Sequence, residues 1–223
     1  MATTATVVPF IGAARRIRLK QRWSAELLDI LGIGLETDGP PIPPGCLLVA
    51  NHISWLDILV MHAARHCRFV SKSEVRRWPL IGTLSTGAGT LYIERESRRD
   101  AMRVVHQMAD ALKAGDILAV FPEGTTSDGV SLLPFHANLI QAAISAGAPV
   151  QPVALSFIDV ATGQPSLAPC YINDDTLFGS IWRTLTAPRI AAVVTYGEPQ
   201  PAEGRERRVW AAELRAEVMR LRG

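Results

Sequence analysis

Three short apolar runs limit the fold most: CLLVA at 46–50, DILAVF at 116–121 and APVQPVALSF at 148–157. Short unbroken apolar runs of this kind suit strands covered on both faces. Helical patterns separate them, in WLDILVMHAARHC, SRRDAMRVVHQMADALKAG and ANLIQAAISAG. RFVSK, GTLYIER and RIAAVVTYG read as further strands, TLFGSIWRTL as a short helix and GRERRVWAAELRAEVMRLR as a closing one. Ser97 is the expected N-cap of the 97–115 helix, with Gly115 closing it, and Gly147 ends the next one. Strands alternating with helices predict an α/β layered domain with a largely parallel or mixed sheet flanked by helices. The prolines in APVQPVALSF predict an edge position or a bulge for that strand.

With 223 residues, 48% of them hydrophobic, the chain can bury one sizeable core. The formal charge of +2 gives no global attraction for nucleic acid, so no nucleic-acid partner is expected. Cys46, Cys67 and Cys170 are scattered singly, which suits a reducing compartment and gives neither a zinc ribbon nor a redox dithiol. No apolar stretch reaches the roughly 18–20 residues that span a bilayer. The start, ATTATVVPFIGAA, has no charged segment before its apolar part and makes a poor signal peptide. The expected place is the cytosol or a membrane surface.

The Pro/Gly cluster DGPPIPPG at 38–45 sets off an N-terminal segment. The expected division is therefore 1–37, a basic amphipathic helical segment, and 38–223, a catalytic domain. Leu19, Trp23, Leu27, Ile30 and Leu31 recur at helical spacing, and Arg15, Arg16, Arg18, Lys20 and Arg22 crowd the segment's front. Such a helix either lies in a lipid headgroup layer or docks on the domain with its basic face in solvent.

Residues 51–57 read NHISWLD. His52 and Asp57 are five apart, roughly 140° around a helix, so one regular helix cannot bring them together. Ser54 and Asp57 have capping-box spacing. That puts His52 in the loop before a helix and Asp57 in its first turn. The carboxylate then either caps the helix alone or also holds the imidazole as a general base. No G-x-S-x-G elbow surrounds Ser54.

FPEGTTSDG at 121–129 follows a strand, where open α/β sheets place ligands. It is either a polar connection or an anion cradle built from backbone N–H groups with Thr125 and Thr126. Lys72 and Arg95 each follow a strand; Arg can grip phosphate through two hydrogen bonds, yet a lone basic residue is as readily a surface charge. His62 and His66 have metal-ligand spacing but no HExxH pattern and no third ligand, which favours packing or surface roles. GxGxxG and GxxxxGK[ST] cradles are missing.

In order and spacing, NHISWLD, SKSE, GTLYIER, FPEGTTSDG and APVQPVAL resemble the glycerolipid acyltransferase family that includes bacterial 1-acylglycerol-3-phosphate acyltransferase. The resemblance runs from about Trp23 to the C-terminal helix. It implies a fold like that family's and transfer of a fatty acyl group from acyl carrier protein or coenzyme A to a lysophospholipid hydroxyl, 1-acylglycerol-3-phosphate first. It implies a base role for His52 and a partner role for Asp57. Acceptor phosphate or substrate positioning is implied for Arg95, Glu123 and Gly124, with Lys72, Thr125 and Thr126 as further substrate-binding candidates. Pro122 and Pro152 match the third and fourth blocks. No bound cofactor or metal is implied, and the expected partners are the bilayer surface, the lyso-lipid and the thioester carrier. A longer membrane-spanning N-terminus seen in some relatives has no counterpart, so peripheral attachment to the cytoplasmic face of the inner membrane is expected. Two departures lower the local positive charge: Thr126 stands where the family usually has arginine, and Phe135-His136-Ala137-Asn138 replaces a frequent Phe-Lys-x-Gly. They open two alternatives, a lyso-aminolipid acceptor and a non-catalytic lipid-binding module.

Overall fold

The computed structural model describes residues 12–73, 76, 86, 89–93, 98–172 and 175–223. Its strands are β1 (Ile33–Asp38), β2 (Leu47–Ala50), β3 (Arg68–Lys72), β4 (Leu91–Ile93), β5 (Leu118–Val120), β6 (Val150–Asp159) and β7 (Ile190–Tyr196). Its helices are α1 (Ala13–Ile30), α2 (Leu56–Ala64), α3 (Arg98–Lys113), α4 (Ile140–Ala146), α5 (Leu177–Thr186) and α6 (Arg207–Arg222). The strands form one sheet in the order β1-β7-β6-β2-β5-β3-β4. Every neighbouring pair is parallel except β6 with β7. The sheet is thus largely parallel and mixed.

Side-chain alternation in β2 builds the layers. Leu48 and Ala50 face one core with Leu28 of α1 and Leu56, Val60 and Met61 of α2. Leu47 and Val49 face the other, with Met108 of α3, Ile140 of α4 and Trp210 of α6. All four β2 residues are fully buried, which explains an apolar run without alternation. Gly147 takes φ +64 after α4, a left-handed helix end that glycine adopts without a Cβ penalty.

The proline-bearing strand is not at an edge. β6 lies between β7 and β2. Pro152 accepts from the Gly197 N–H at 2.8 Å but has no N–H to return. The Gln151 side chain supplies that donor instead, with Nε2 2.9 Å from the Gly197 carbonyl. A neighbouring amide thus repairs the ladder where proline breaks it.

The boundary expected at 37/38 falls within β1, whose pairing with β7 makes 33–38 part of the sheet. α1 runs from Ala13, six residues earlier than the apolar spacing begins. Its buried side carries Ser24 and Leu28, and Gln21 Nε2 donates to the Ala63 and Ala64 carbonyls at the end of α2 at 3.1 and 3.3 Å. Leu19, Trp23 and Ile30 point outward, 48%, 43% and 78% exposed. No described helix is long and apolar enough to cross a membrane. The expected cap Ser97 lies outside the described residues.

Candidate active site

The site forms where β2 runs out. Asn51, fully buried, clamps the exit: its Nδ2 donates to the Leu155 carbonyl at 2.9 Å and its Oδ1 accepts the Leu155 N–H at 2.7 Å. His52 follows in a loop, and α2 begins at Leu56. Ser54 Oγ accepts the Leu56 N–H at 3.2 Å, one position earlier than an ideal capping box, while the Asp57 carboxylate reaches back to the Ser54 N–H at 2.9 Å. The capping residue is thus Trp55, one position after the expected Ser54, and Asp57 still lies in the first turn.

Asp57 Oδ2 also accepts the Ile53 N–H at 2.7 Å and lies 2.8 Å from His52 Nδ1. The Asp57 side chain is fully buried, and that of His52 is 20% exposed. An ionised carboxylate only accepts, so Nδ1 carries the proton and Nε2 is left with a lone pair. The imidazole stacks on Phe121, ring centroids 4.1 Å apart and planes 8° apart. Tautomer and ring plane are both held, which is what a general base requires.

Glu123 is 4% exposed and spends both carboxylate oxygens on backbone. Oε1 accepts the His52 N–H at 2.7 Å and Oε2 accepts the Leu133 N–H at 2.8 Å. Burial pushes its carboxyl above the usual carboxylate range, opposed by those two amides. The His52 carbonyl accepts from the backbone N–H of Ser127 at 2.7 Å and from its hydroxyl at 3.0 Å. Glu123 and Ser127 thus pin the His52 peptide from both sides. Gly124 takes φ +74, a conformation that lets the chain reverse between them.

Arg215 of α6 extends this scaffold, donating from Nε to the Leu132 and Leu133 carbonyls at 3.1 and 3.0 Å. A continuous path therefore runs from Arg215 through Leu133 and Glu123 to His52. Asn51 and Ser127 lie inside NHISWLD and FPEGTTSDG, yet the work of their side chains, like that of Arg215, is not legible there, because their partners lie 75 to 104 residues away.

The remaining candidates separate. Thr126 donates its hydroxyl to the Tyr171 carbonyl, and Thr125 is exposed. Pro122 is buried and its carbonyl accepts the His136 N–H at 2.9 Å. Lys72 ends β3, its backbone paired with Ile93; its side chain, and all of Arg95, lie outside the described residues. His62 is buried edge-on against Phe69, ring centroids 5.1 Å apart, and burial pushes its imidazole down to about 4.

Known proteins resemble the chain in sequence and in fold. A family profile described as Acyltransferase matches residues 37–156. A lyso-ornithine lipid O-acyltransferase of Pseudomonas aeruginosa is 38% identical over 203 residues, covering 91% of this chain and 78% of that protein. A 1-acyl-sn-glycerol-3-phosphate acyltransferase of Neisseria gonorrhoeae is 40% identical over 171 residues, covering 76% of this chain and 66% of that protein. The crystal structure of the 1-acyl-sn-glycerophosphate acyltransferase PlsC of Thermotoga maritima superposes with a TM-score of 0.71 at 20% identity, covering 100% of this chain and 88% of that one, a likeness of fold. By the family profile and these relatives, the chain belongs to the acyltransferase family and is an acyltransferase.

Proposed function

We propose that the protein moves a fatty acyl group from a thioester of acyl carrier protein or coenzyme A to the free hydroxyl of a lyso-lipid, with His52 as general base. The observation that carries this reading is the 2.8 Å contact of His52 Nδ1 with the buried Asp57, which leaves Nε2 as the basic nitrogen. A hydroxyl is a poor nucleophile at neutral pH. As it attacks the thioester carbonyl, Nε2 takes its proton. The tetrahedral intermediate then expels the thiolate, which receives that proton from the imidazolium. Asp57 stabilises the imidazolium, so the acceptor hydroxyl stands where a triad would have serine, and no acyl-enzyme is needed. Reaction takes place at the cytoplasmic face of the inner membrane, with α1 meeting the bilayer through Leu19, Trp23 and the basic residues at its start.

The first acceptor is 1-acylglycerol-3-phosphate, supported by the Neisseria relative and by the Arg95 of GTLYIER. Thr126 favours a second, a lyso-ornithine-type aminolipid: it brings no charge to a phosphate, its hydroxyl is committed to Tyr171, and the Pseudomonas relative acts on such a lipid. Lysophosphatidate and lyso-ornithine lipid are each incubated with a long-chain acyl thioester, and the lipid products are weighed by mass spectrometry. A diacyl product from one or both is expected. Vesicle binding with no product from any lyso-acceptor contradicts catalysis and leaves the lipid-binding module.

A further inference from the structure

α5 is amphipathic the wrong way round for a helix in water. Its buried positions are hydroxyls, Ser180 at 0% and Thr184 at 4% exposed. Its outward row is Phe178, Trp182 and Leu185, 77%, 62% and 49% exposed, at the i, i+4, i+7 spacing of one helix face. The inward hydroxyls are satisfied: Ser180 Oγ accepts from Trp55 Nε1 at 3.1 Å and Thr184 Oγ1 donates to the Ser180 carbonyl at 2.8 Å. Arg183 holds the helix to the segment before it, through the Ala168 carbonyl at 2.9 Å and Asp175 at 3.0 Å. The outward apolar row is therefore presented by a firmly seated element.

We infer that this row is a second membrane contact, which inserts into the headgroup layer of an anionic bilayer beside the active site. Placement supports it. Trp55, which α5 touches, belongs to the same NHISWLD segment as His52 and Asp57. Tyr171, just before α5, donates its N–H to the Ile53 carbonyl at 3.1 Å. β2 stops opposite Val153, and β6 runs on to Asp159, where β7 begins beside it and β1 beside β7. At that end the C-terminal turns of α1 and α5 flank a groove of about 450 Å³, lined by Asp29 and Leu31 on one side and Leu185 and Arg189 on the other. The row on α5 thus continues toward the outward face of α1, where Ile30 is 78% exposed.

Charge and area select the occupant. Arg189 is exposed beside Leu185, a complement to anionic headgroups at the row itself, while Arg15, Arg16 and Arg18 lie at the other end of α1 and belong to that helix's own contact. Aromatic side chains with basic neighbours are the usual composition of an interfacial helix. The three α5 side chains together expose on the order of 400 Å². That is about half of the ~800 Å² that each partner of a stable dimer buries. The inference rests on the lyso-lipid reading for its purpose, since an acceptor held in a bilayer must reach His52 without leaving it.

The full chain is mixed with vesicles of phosphatidylcholine and phosphatidylglycerol, some with brominated acyl chains. Comparing wild type with Trp182→Phe isolates the emission of Trp182, and the brominated vesicles are expected to quench it. The triple variant Phe178→Ser/Trp182→Ser/Leu185→Ser should keep its melting temperature and its turnover of a short-chain, monomeric lyso-acceptor. Its vesicle partitioning should fall by a factor on the order of 10–100. Unquenched Trp182 together with unchanged partitioning overturns the inference. So does a wild-type dimer that the triple variant abolishes without change in partitioning, which would make a second copy the occupant. If partitioning falls as expected while neither protein acylates any acceptor, the membrane contact stands and the acyltransfer reading fails.

Discussion

At the scale of single residues, one oxygen of Asp57 serves two ends. Oδ2 binds the Ile53 and Ser54 N–H groups at the helix start and also His52 Nδ1. Asp57→Asn keeps one carbonyl oxygen but no charge to stabilise an imidazolium, so kcat should fall by about 10²–10⁴-fold, which steady-state thiol release measures. Glu123 makes a different demand. Its two oxygens accept from two amides, and glutamine offers one acceptor and one donor. Glu123→Gln should therefore set a donor against a donor at His52 or Leu133 and lower kcat by about 10²-fold with KM little changed. A raised KM with unchanged kcat would instead mark Glu123 as an acceptor-binding group. The spacing of NHISWLD makes a loop-then-helix placement of His52 and Asp57 legible, and the resemblance to the acyltransferase blocks, not the spacing, implies their pairing over a plain helix cap. The work of Glu123 was not, because its partners stand 71 positions before it and 10 after it.

At the scale of elements, helices and strands followed apolar periodicity wherever packing was two-sided, as in β2. β1 escaped notice because only Ile33 is buried in a strand that ends in exposed Glu36, Thr37 and Asp38. Of the two expectations for β6, an edge or a bulge, the edge fails because Gln151 stands in for the amide that Pro152 lacks, while the pairing with the β7 side shifts by one residue between Val153–Tyr196 and Val150–Gln200. α6 matters beyond its packing, since Arg215 holds the carbonyls of the segment that Glu123 grips. Arg215→Met keeps the aliphatic stem and removes those charged hydrogen bonds. We expect a loss of about 1.5–3 kcal/mol in stability. A fall in kcat of roughly tenfold should accompany it, read by thermal melts beside steady-state kinetics. α2 carries an acid liability. His62 is neutral in the fold, its imidazole pushed down to about 4 by burial and by nearby His66 and Lys20. The unfolded chain binds a proton near pH 6.5 that the folded protein refuses, so stability should decline as pH falls from 6.5 toward 4, by on the order of 3 kcal/mol. His62→Leu should flatten that decline in melts taken across the range.

At the scale of the molecule, α1 is part of the domain and is also proposed as a bilayer contact. Gln21 caps the end of α2, Leu28 joins the core, and Leu19, Trp23 and Ile30 face outward. Deleting residues 1–22 should weaken binding to anionic vesicles and also lower the melting temperature, whereas Gln21→Ala should lower the melting temperature alone; vesicle sedimentation and thermal melts separate the two. α5 joins the His52 loop through Trp55 and Ser180, and its last turn meets that of α1 where β1 and β7 begin. The proposed chemistry requires a base that deprotonates a lipid hydroxyl. Its most direct test is thiol release from a long-chain acyl thioester with the acceptor that the wild type acylates, comparing wild type with His52→Ala at matched folded concentration. A loss on the order of 10²–10⁴-fold or more is expected; release by His52→Ala at the wild-type rate would contradict the general-base role.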